Sequence, residues 1–291
     1  MLKGGLPIKR TTQLRNILAQ QEPLILAGVY DGISAHLAES AGFKCLFSSG
    51  FCISTSKNIP DVGLITMTEN LNKCREIHLA CSLPIIADVD DGFGDSVIVK
   101  RMVKEYENAG VAGVCIEDNV HPKRNSLFAD LKHQLVPVKE FVEKIDIIKN
   151  SQTDQDFIVI ARIEAFIAGM GIDEVLERAN AYSNAGADLL LIHSNKSGPE
   201  EVFEFTSRWD GNIPLVAVPS TYSNTSAQAL YDNGYKVTVF ANQAFRASLK
   251  AMEKAYQKLY RSQSISSVEN EMISLADIYK MINYSAVENK K

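Results

Sequence analysis

Short apolar runs alternate along the chain with longer segments in which apolar residues recur every three or four positions. The segments SVIVKRMVKEYENAG and IDEVLERANAYSNAG have this spacing, which predicts amphipathic helices. Eight apolar runs predict strands: LILAGVY (24–30), KCLFSSG (44–50), PIIADVD (84–90), AGVCIED (112–118), FIVIARIE (157–164), ADLLLIH (187–193), PLVAVPS (214–220) and YKVTVFA (235–241). Nearly continuous apolar strands that alternate with such helices are typical of a parallel sheet covered by helices.

A weak internal repeat indicates how this sheet is arranged. The segments ESAGFKCLF, ENAGVAGVCIE, SNAGADLLLIH and DNGYKVTVF each end a helix with glycine and enter a strand. Glycine suits the left-handed residue after a helix end. Eight strand-helix units in about 250 residues match a closed (β/α)8 barrel. We therefore predict an α/β fold, a (β/α)8 TIM barrel, with a doubly wound open sheet as the alternative.

No linker rich in Pro, Gly or Ser interrupts the chain, so we predict a single domain over residues 1–291. A helical extension is predicted after the eighth strand, over about residues 242–285. Its segment SVENEMISLADIYKMI has an apolar stripe without an assigned surface to cover, which predicts an extra C-terminal helix.

Composition narrows the class of partner. The 291 residues are 46% hydrophobic, enough for a large core. The net charge of -5 and the absence of a dense Lys/Arg run argue against nucleic acid or an anionic membrane as the main partner. Five cysteines without a CxxC pair indicate reduced thiols. With no apolar signal region and no membrane-length apolar stretch, we expect a cytoplasmic protein that acts on a small molecule.

Polar residues close most of the eight runs, and in barrels the chemistry lies at these strand ends. Asp88, Asp90 and Glu117 would crowd three negative charges at one barrel mouth, which a proton or a cation must relieve. A hard divalent ion such as Mg²⁺ suits these oxygen ligands. The alternative is that such acids cap the following helices, a role that also suits Asp95.

Two further strand-end residues have open interpretations. Arg162 lies in an otherwise apolar run, and its buried guanidinium must be paired. It either forms a structural ion pair with Glu164 or Glu117 or binds an anion. His193 closes the sixth run and is either a satisfied core residue or a site residue.

Seven segments together resemble the phosphoenolpyruvate mutase branch of the isocitrate lyase superfamily. They are GVYDGISAHLAESAGF, SSGFCIS, PDVGLITMTE, ADVDDGFGD, GVCIEDNVHPKRNS, IARIEAFIAG and LLLIHS, and the similarity runs from about residue 10 to about residue 280. The resemblance implies a Mg²⁺-dependent isomerase that interconverts phosphoenolpyruvate and 3-phosphonopyruvate in phosphonate biosynthesis. It also implies a homodimer or homotetramer in which the C-terminal helices pack across subunits.

The loop after Glu117 separates the branches of this superfamily. The family pattern of the cysteine-dependent lyases has a Lys-Arg/Lys-Cys-Gly-His motif in this loop. This chain has Lys123-Arg124-Asn125-Ser126 instead and so lacks the cysteine thiol of that motif. The mutase signature is Glu-Asp-Lys, five residues, then Asn-Ser. This chain matches it except at Asn119, and a second departure is Phe47, where the branch usually has tryptophan.

Phosphonopyruvate hydrolase, a close relative of the mutase, is expected to differ at the positions of Asn125 and His193. Both residues match the mutase in this chain. The alternatives are therefore this hydrolase, another lyase or hydrolase for a related 2-oxo acid, and a non-catalytic barrel that serves as an interaction protein.

The resemblance also implies roles for individual residues. The metal ligands are Asp88, Asp90 and Glu117, with Asp61 nearby. The catalytic residues are Asp61, Lys123, Asn125, Arg162 and His193. The substrate-binding residues are Phe47, Ser49, Gly50, Phe51, Asn125, Arg162 and His193. The segment VHPKRNS is predicted to close over the substrate, and Asp61 is either a covalent phosphoryl acceptor or an electrostatic guide.

Overall fold

Eight parallel strands close into a barrel in chain order, with β8 paired to β1. The computed structural model describes residues 8–128 and 133–284. The charged N-terminal residues up to 7, and residue 285 of the predicted extension, lie outside them. The strands are β1 (Leu24–Val29), β2 (Cys45–Ser48), β3 (Ile85–Asp88), β4 (Gly113–Glu117), β5 (Ile158–Ile163), β6 (Leu189–Ile192), β7 (Leu215–Ala217) and β8 (Tyr235–Phe240). The predicted TIM barrel is confirmed, and each strand lies within its predicted run.

Helices alternate with the strands. They are α1 (Arg10–Leu18), α2 (Gly32–Ser40), α3 (Gly50–Ser56), α4 (Met67–Ala80), α5 (Ser96–Asn108), α6 (Val138–Ser151), α7 (Ile172–Asn184), α8 (Glu200–Arg208), α9 (Ala227–Asp232), α10 (Gln243–Ser262) and α11 (Leu275–Met281). The two helices predicted from apolar spacing are α5 and α7. In the repeat, Gly110 and Gly186 follow these helices at φ of 76° and 92°, the left-handed conformation that was expected there.

Apolar side chains fill the barrel on both sides of the sheet. Inside the barrel, residues of different strands such as Leu26, Ile86 and Leu191 pack together. A second layer between the sheet and the helices includes Val114, Phe141 and many other buried residues. Because both faces of every strand are buried, the strands read as continuous apolar runs rather than as alternating patterns.

Helix starts explain part of the polar pattern. Asp95 accepts hydrogen bonds from the backbone N–H groups of Val97 and Ile98 and so caps α5. The capping interpretation is therefore correct for Asp95. Asp31 caps α2 in the same way, through Ser34. These two acids satisfy orphan donors of the helix backbone and are explained without a ligand.

The chain divides into two compact units, Met1–Ala244 and Phe245–Lys291. The second contains most of α10, two short 3-10 turns (Ile265–Ser267 and Glu269–Glu271) and α11. Within it, Lys254 and Lys258 both pair with Glu271. The predicted C-terminal helix is thus present in its second half as α11, while its first half forms 3-10 structure.

All five cysteines are free thiols, and all are buried. Across the described ranges, no helix combines the length and the apolar character that crossing a membrane requires. The cytoplasmic location stays a prediction.

Candidate active site

The predicted site residues come together at the carboxyl ends of five consecutive strands, β2 to β6, and in the segments that follow them. Asp88 is the last residue of β3 and Glu117 the last of β4. In the register of β4 and β5, Glu117 lies beside Arg162. Parallel strands place all their carboxyl ends at one rim, so polar residues far apart in sequence become neighbours.

The turn after β2 packs directly against two of the acids. Ser49 caps α3 by accepting a hydrogen bond from Cys52 N, and Gly50 N donates one to Asp88 Oδ2 at 3.2 Å. A Cβ added at Gly50 would lie 3.1 Å from Asp88 Oδ2 and 3.2 Å from Asp90 Oδ1. A side chain at position 50 would therefore have to displace the two carboxylates by a few tenths of an ångström.

Lys123 lies between two carboxylates. Its Nζ is 2.7 Å from Asp61 Oδ1 and 2.7 Å from Asp90 Oδ1, and only 4% of the residue is exposed. Asn125 Nδ2 donates a hydrogen bond to the other oxygen of Asp61 at 2.8 Å. These two side chains therefore hold the segment after β4 against the loop between α3 and α4 that contains Asp61, which we call the Asp61 loop.

The Asp61 loop and this segment also approach each other through their backbones. A Cβ at Gly63 would lie 3.0 Å from Pro122 Cβ and 3.3 Å from Lys123 N. Gly63 has φ of 75°, so a larger residue would be strained there and would push the segment away.

Burial controls the charges of this cluster. It raises the pKa of Asp90 to about 7, and the attraction of Lys123 only partly opposes this because Asp88 and Asp61 add repulsion. Burial by itself would lower the pKa of Lys123, but Asp90 and Asp61 together raise it well above its usual value. Burial also raises the pKa of Glu117, against the opposing charges of Arg162 and Lys123. Lys123 is thus a firmly charged ammonium close to Asp90 and Glu117, whose carboxyl groups resist ionisation.

The sequence predicts that a proton or a metal ion relieves the crowding of the acids, and the structure adds a third source of positive charge. Lys123 pairs with Asp61 and Asp90, and Arg162 Nε lies 3.3 Å from Glu117 Oε2. Among the described residues, no three His, Cys, Asp or Glu side chains are already gathered as metal ligands. In this arrangement, protein cations balance the acids.

The donor chemistry nevertheless fits Mg²⁺. Asp90 Oδ1 and Glu117 Oε2 are buried, and their charged neighbours are Lys123 Nζ at 2.7 Å and Arg162 Nε at 3.3 Å, respectively. Buried carboxylate oxygens with unused lone pairs are the ligands that this ion prefers. Asp88, Asp90 and Glu117 remain the predicted ligands, with Asp61 beside them.

Arg162 is at the centre of a second cluster. Its Nε contacts Glu164 Oε1, and its Nη2 donates to Ser126 Oγ at 2.8 Å. His193 Nδ1 lies 2.9 Å from Arg162 Nη2 and 2.8 Å from Glu164 Oε1, and the ring tautomer sets which contact is a hydrogen bond. The predicted ion pairs of Arg162 with Glu164 and Glu117 are both present.

The charges of this cluster are distributed unevenly. Burial lowers the pKa of His193 and outweighs the opposing attraction of Glu164, and Arg162 adds a smaller lowering effect. Burial opposes ionisation of Glu164, yet Arg162 and His193 bring its pKa well below the usual range. A neutral imidazole therefore lies beside a Glu164 carboxylate that Arg162 compensates.

Three residues outside the predicted catalytic, substrate-binding and metal-binding sets belong to the site. Ser126 links the segment to Arg162. Glu164 is fully buried and orients both Arg162 and His193. The spacing of Arg162 and Glu164 by two residues, which puts both side chains on one side of a strand, was the available signal. Asn119 donates to Glu117 Oε1 at 2.8 Å, a contact without a signal in the sequence.

The two predicted aromatic contacts differ in position. Phe47 lies on β2 and packs with the residues that fill the barrel. Phe51 is half-buried in the first turn of α3, directly after Gly50. Their contact with a substrate stays a prediction.

Comparison with known proteins finds similar enzymes over nearly the whole chain. A phosphoenolpyruvate phosphomutase of Tetrahymena pyriformis is 36% identical over 273 residues, which is 94% of this chain and 91% of that protein. The crystal structure of a phosphoenolpyruvate phosphomutase from Streptomyces platensis subsp. rosaceus matches with a TM-score of 0.94 at 38% identity, over 96% of each chain. A phosphonopyruvate hydrolase in complex with oxalate and Mg²⁺ matches with a TM-score of 0.91 at 33% identity, over 97% of each chain.

Overall identity does not separate the mutase from the hydrolase, since the values are similar. The family model of phosphoenolpyruvate phosphomutase matches residues 14–260, which include every predicted catalytic, substrate-binding and metal-binding residue. This chain belongs to the phosphoenolpyruvate phosphomutase family.

Proposed function

We propose that this protein is a Mg²⁺-dependent mutase that interconverts phosphoenolpyruvate and 3-phosphonopyruvate. The observation that carries the proposal is the hydrogen bond from Asn125 to Asp61, with Ser126 bound to Arg162 in the same segment. The Asn-Ser pair of the mutase signature thus lies against the residues that would face the phosphoryl group.

The reaction is balanced within one molecule. The bond between phosphorus and the enol oxygen breaks, and a bond between phosphorus and the terminal carbon forms, without gain or loss of a proton or water. The site must therefore hold the enolate still and exclude water, which would otherwise capture the phosphoryl group. Lys123 and Asn125, held on Asp61, support this role because they cover the site from the segment after β4.

The chain supplies charge at each part of the substrate. Arg162, His193 and Asn125 would stabilise the negative charge of the phosphoryl group. Ser49 and the amide of Gly50 would bind the carboxylate once Asp88 releases the Gly50 N–H. When bound near Asp88, Asp90 and Glu117, Mg²⁺ would offset the charge of the carboxylate and the enolate oxygen.

Incubation of the protein with phosphonopyruvate and Mg²⁺, followed by phosphorus NMR, tests the proposal. We expect phosphoenolpyruvate, loss of turnover after exhaustive chelation and recovery when Mg²⁺ is added back. Phosphate and pyruvate would identify a hydrolase, which the likeness to phosphonopyruvate hydrolase makes the second candidate. The absence of any turnover would overturn both in favour of a non-catalytic barrel.

A further inference from the structure

The segment that carries Lys123, Asn125 and Ser126 leaves the barrel through a narrow base. Asp118 O accepts a hydrogen bond from Val136 N at 3.0 Å, and Val120 N donates one to Gln134 O at 2.9 Å. Between them, Asn119 and Leu135 form an antiparallel bridge. We call residues 118–120 and 134–136 the neck, because the position of the neck sets where the segment meets the site.

Two buried side chains of α7 contact the neck, mainly through the neck residue Asp118. Arg178 Nη1 on α7 donates to Asp118 Oδ2 at 3.0 Å and to Val136 O at 3.1 Å, so it contacts both halves of the neck. Tyr182, one turn later, donates its hydroxyl to the same Asp118 oxygen at 2.9 Å. Asp118 and Tyr182 are fully buried and Arg178 is 4% exposed. We call these three residues the clamp.

The clamp also contacts the strand that carries the phosphoryl-facing residues. Glu164 N donates to Asp118 Oδ1 at 2.9 Å, and Asp118 N donates to Arg162 O. Asp118 therefore uses its backbone and both side-chain oxygens to join the neck, α7 and the end of β5. Glu164 in turn orients Arg162 and His193.

A purely structural role explains this arrangement poorly. A buried ion pair contributes little net stability compared with apolar side chains of the same volume, because desolvation of both charges offsets their attraction. Its contribution is geometric, since directional hydrogen bonds define one position for the neck where apolar contacts would permit several.

We propose that Asp118, Arg178 and Tyr182 are positioning residues that fix the neck relative to the end of β5, and so keep Asn125 and Ser126 seated against Asp61 and Arg162 while the phosphoryl group is transferred. For turnover the inference rests on the proposed mutase function. None of the clamp residues needs to touch the substrate. A loosened clamp admits water, so it changes the products as well as the rate.

The test compares Tyr182→Phe with Tyr235→Phe. Phenylalanine keeps the packing of Tyr182 against Phe141, whose ring centroid is 4.6 Å away, and leaves no buried charge unpaired. Tyr235 is an equally buried tyrosine whose hydroxyl donates to Val202 O at 3.0 Å, and it begins β8 at the opposite end of the barrel. Both variants lose one buried hydroxyl donor, and the Tyr182 hydroxyl also accepts from Arg178 Nη1 at 2.9 Å, so melting temperature should fall in both and somewhat further in Tyr182→Phe.

Only Tyr182→Phe should affect the reaction. We expect kcat to fall about tenfold or more with KM nearly unchanged, as for a small misplacement of groups that act in the transition state. The ratio of phosphate plus pyruvate to phosphoenolpyruvate should rise severalfold. Hydrogen exchange at the amides of Val136 and Glu164 should quicken in Tyr182→Phe and stay unchanged in Tyr235→Phe.

Amide exchange keeps the two proposals separate. If wild-type protein gives no turnover, the mutase proposal fails while faster exchange in Tyr182→Phe still supports the clamp. Unchanged exchange, or equal losses of kcat in both variants, would overturn the clamp. If Tyr182→Phe does not fold, Arg178→Lys, which keeps the charge but shortens the reach to Val136, is measured in the same way and decides the question.

Discussion

Replacement of Lys123 by methionine tests whether Lys123 and Mg²⁺ supply positive charge to the same acids. The ammonium lies 2.7 Å from an oxygen of Asp61 and 2.7 Å from an oxygen of Asp90. Methionine has a similar length but no charge, so both carboxylates lose their cationic partner. We expect the metal-free Lys123→Met protein to be destabilised, and added Mg²⁺ to restore most of the loss.

The magnitude follows from the burial of the cluster. Removal of one member of a buried charge pair costs about 3–5 kcal/mol. An ion present at about a hundred times its dissociation constant contributes about 2.7 kcal/mol of stabilisation, and at about a thousand times, about 4.1 kcal/mol. Mg²⁺ can therefore offset most of the loss in the variant. In the wild type it must compete with Lys123 for Asp90, so it stabilises the folded state less.

The loss should also depend on pH. Burial already raises the pKa of Asp90 to about 7, and removal of Lys123 raises it further. A carboxyl group with a raised folded-state pKa contributes stability at low pH that is lost as the pH rises through that pKa. The stability difference between Lys123→Met and wild type should therefore be larger at pH 8 than at pH 6.

Urea unfolding with excess chelator and with saturating Mg²⁺ measures the effect, and the expected metal-free shift is about 1 M or more in midpoint. Lys144→Met is the matched control. Lys144 is equally buried, but its Nζ donates to the carbonyl oxygen of Asp91 at 2.9 Å rather than lying between carboxylates. Added Mg²⁺ should not restore the stability that Lys144→Met loses. An equal response of both variants, or none in Lys123→Met, would refute the idea that lysine and metal share these acids.

Five other outcomes are expected. Asp61→Ala should abolish turnover while the fold and Mg²⁺ binding persist, and Asn125→Ala should raise the reaction barrier by a few kcal/mol. Steady-state kinetics, circular dichroism and metal titration check both variants. Rates equal to those of wild type would contradict both predictions. Asn119→Lys should leave the reaction type unchanged by phosphorus NMR, and a switch from hydrolysis to isomerisation would show that the assignment is wrong. Burial lowers the pKa of His193 below its usual value of 6.5, so the stability that the neutral His193 contributes is present above about pH 6.5 and is lost as the pH falls below that value. On acidification, the free energy of unfolding should therefore fall faster in wild type than in His193→Asn. Parallel curves for the two proteins would exclude this role of His193. The apolar residues of segment 272–282 are largely exposed, so light scattering at micromolar concentration should show a homodimer or homotetramer rather than a monomer.

The strands were predictable because burial on both faces leaves a continuous apolar signature, and each of the eight runs contains its strand. The roles of the acids were only partly predictable. Asp95 and Asp90 are five residues apart, yet Asp95 caps a helix while Asp90 adopts φ of 50° beside Lys123. Backbone dihedrals decide between these roles, and a pattern of residue types does not contain them.

Charge compensation was the least predictable part. Lys123 follows Asp90 by 33 positions and belongs to a loop whose position depends on the barrel and the neck. Likewise Asp118 was visible as an acid at a strand end, but its partners Arg178 and Tyr182 are on a helix sixty residues later. Only the closed barrel brings these charges into contact.

Because the site lies on five consecutive strands, its residues come from one part of the sequence only. Every predicted catalytic, substrate and metal residue falls between Phe47 and His193, about half of the chain. The strands β7, β8 and β1 close the barrel without adding any of them. One uninterrupted stretch of sequence therefore contains all the residues of the predicted site. A chimera that receives this stretch from one family member and the rest of the barrel from another should catalyse the reaction of the first.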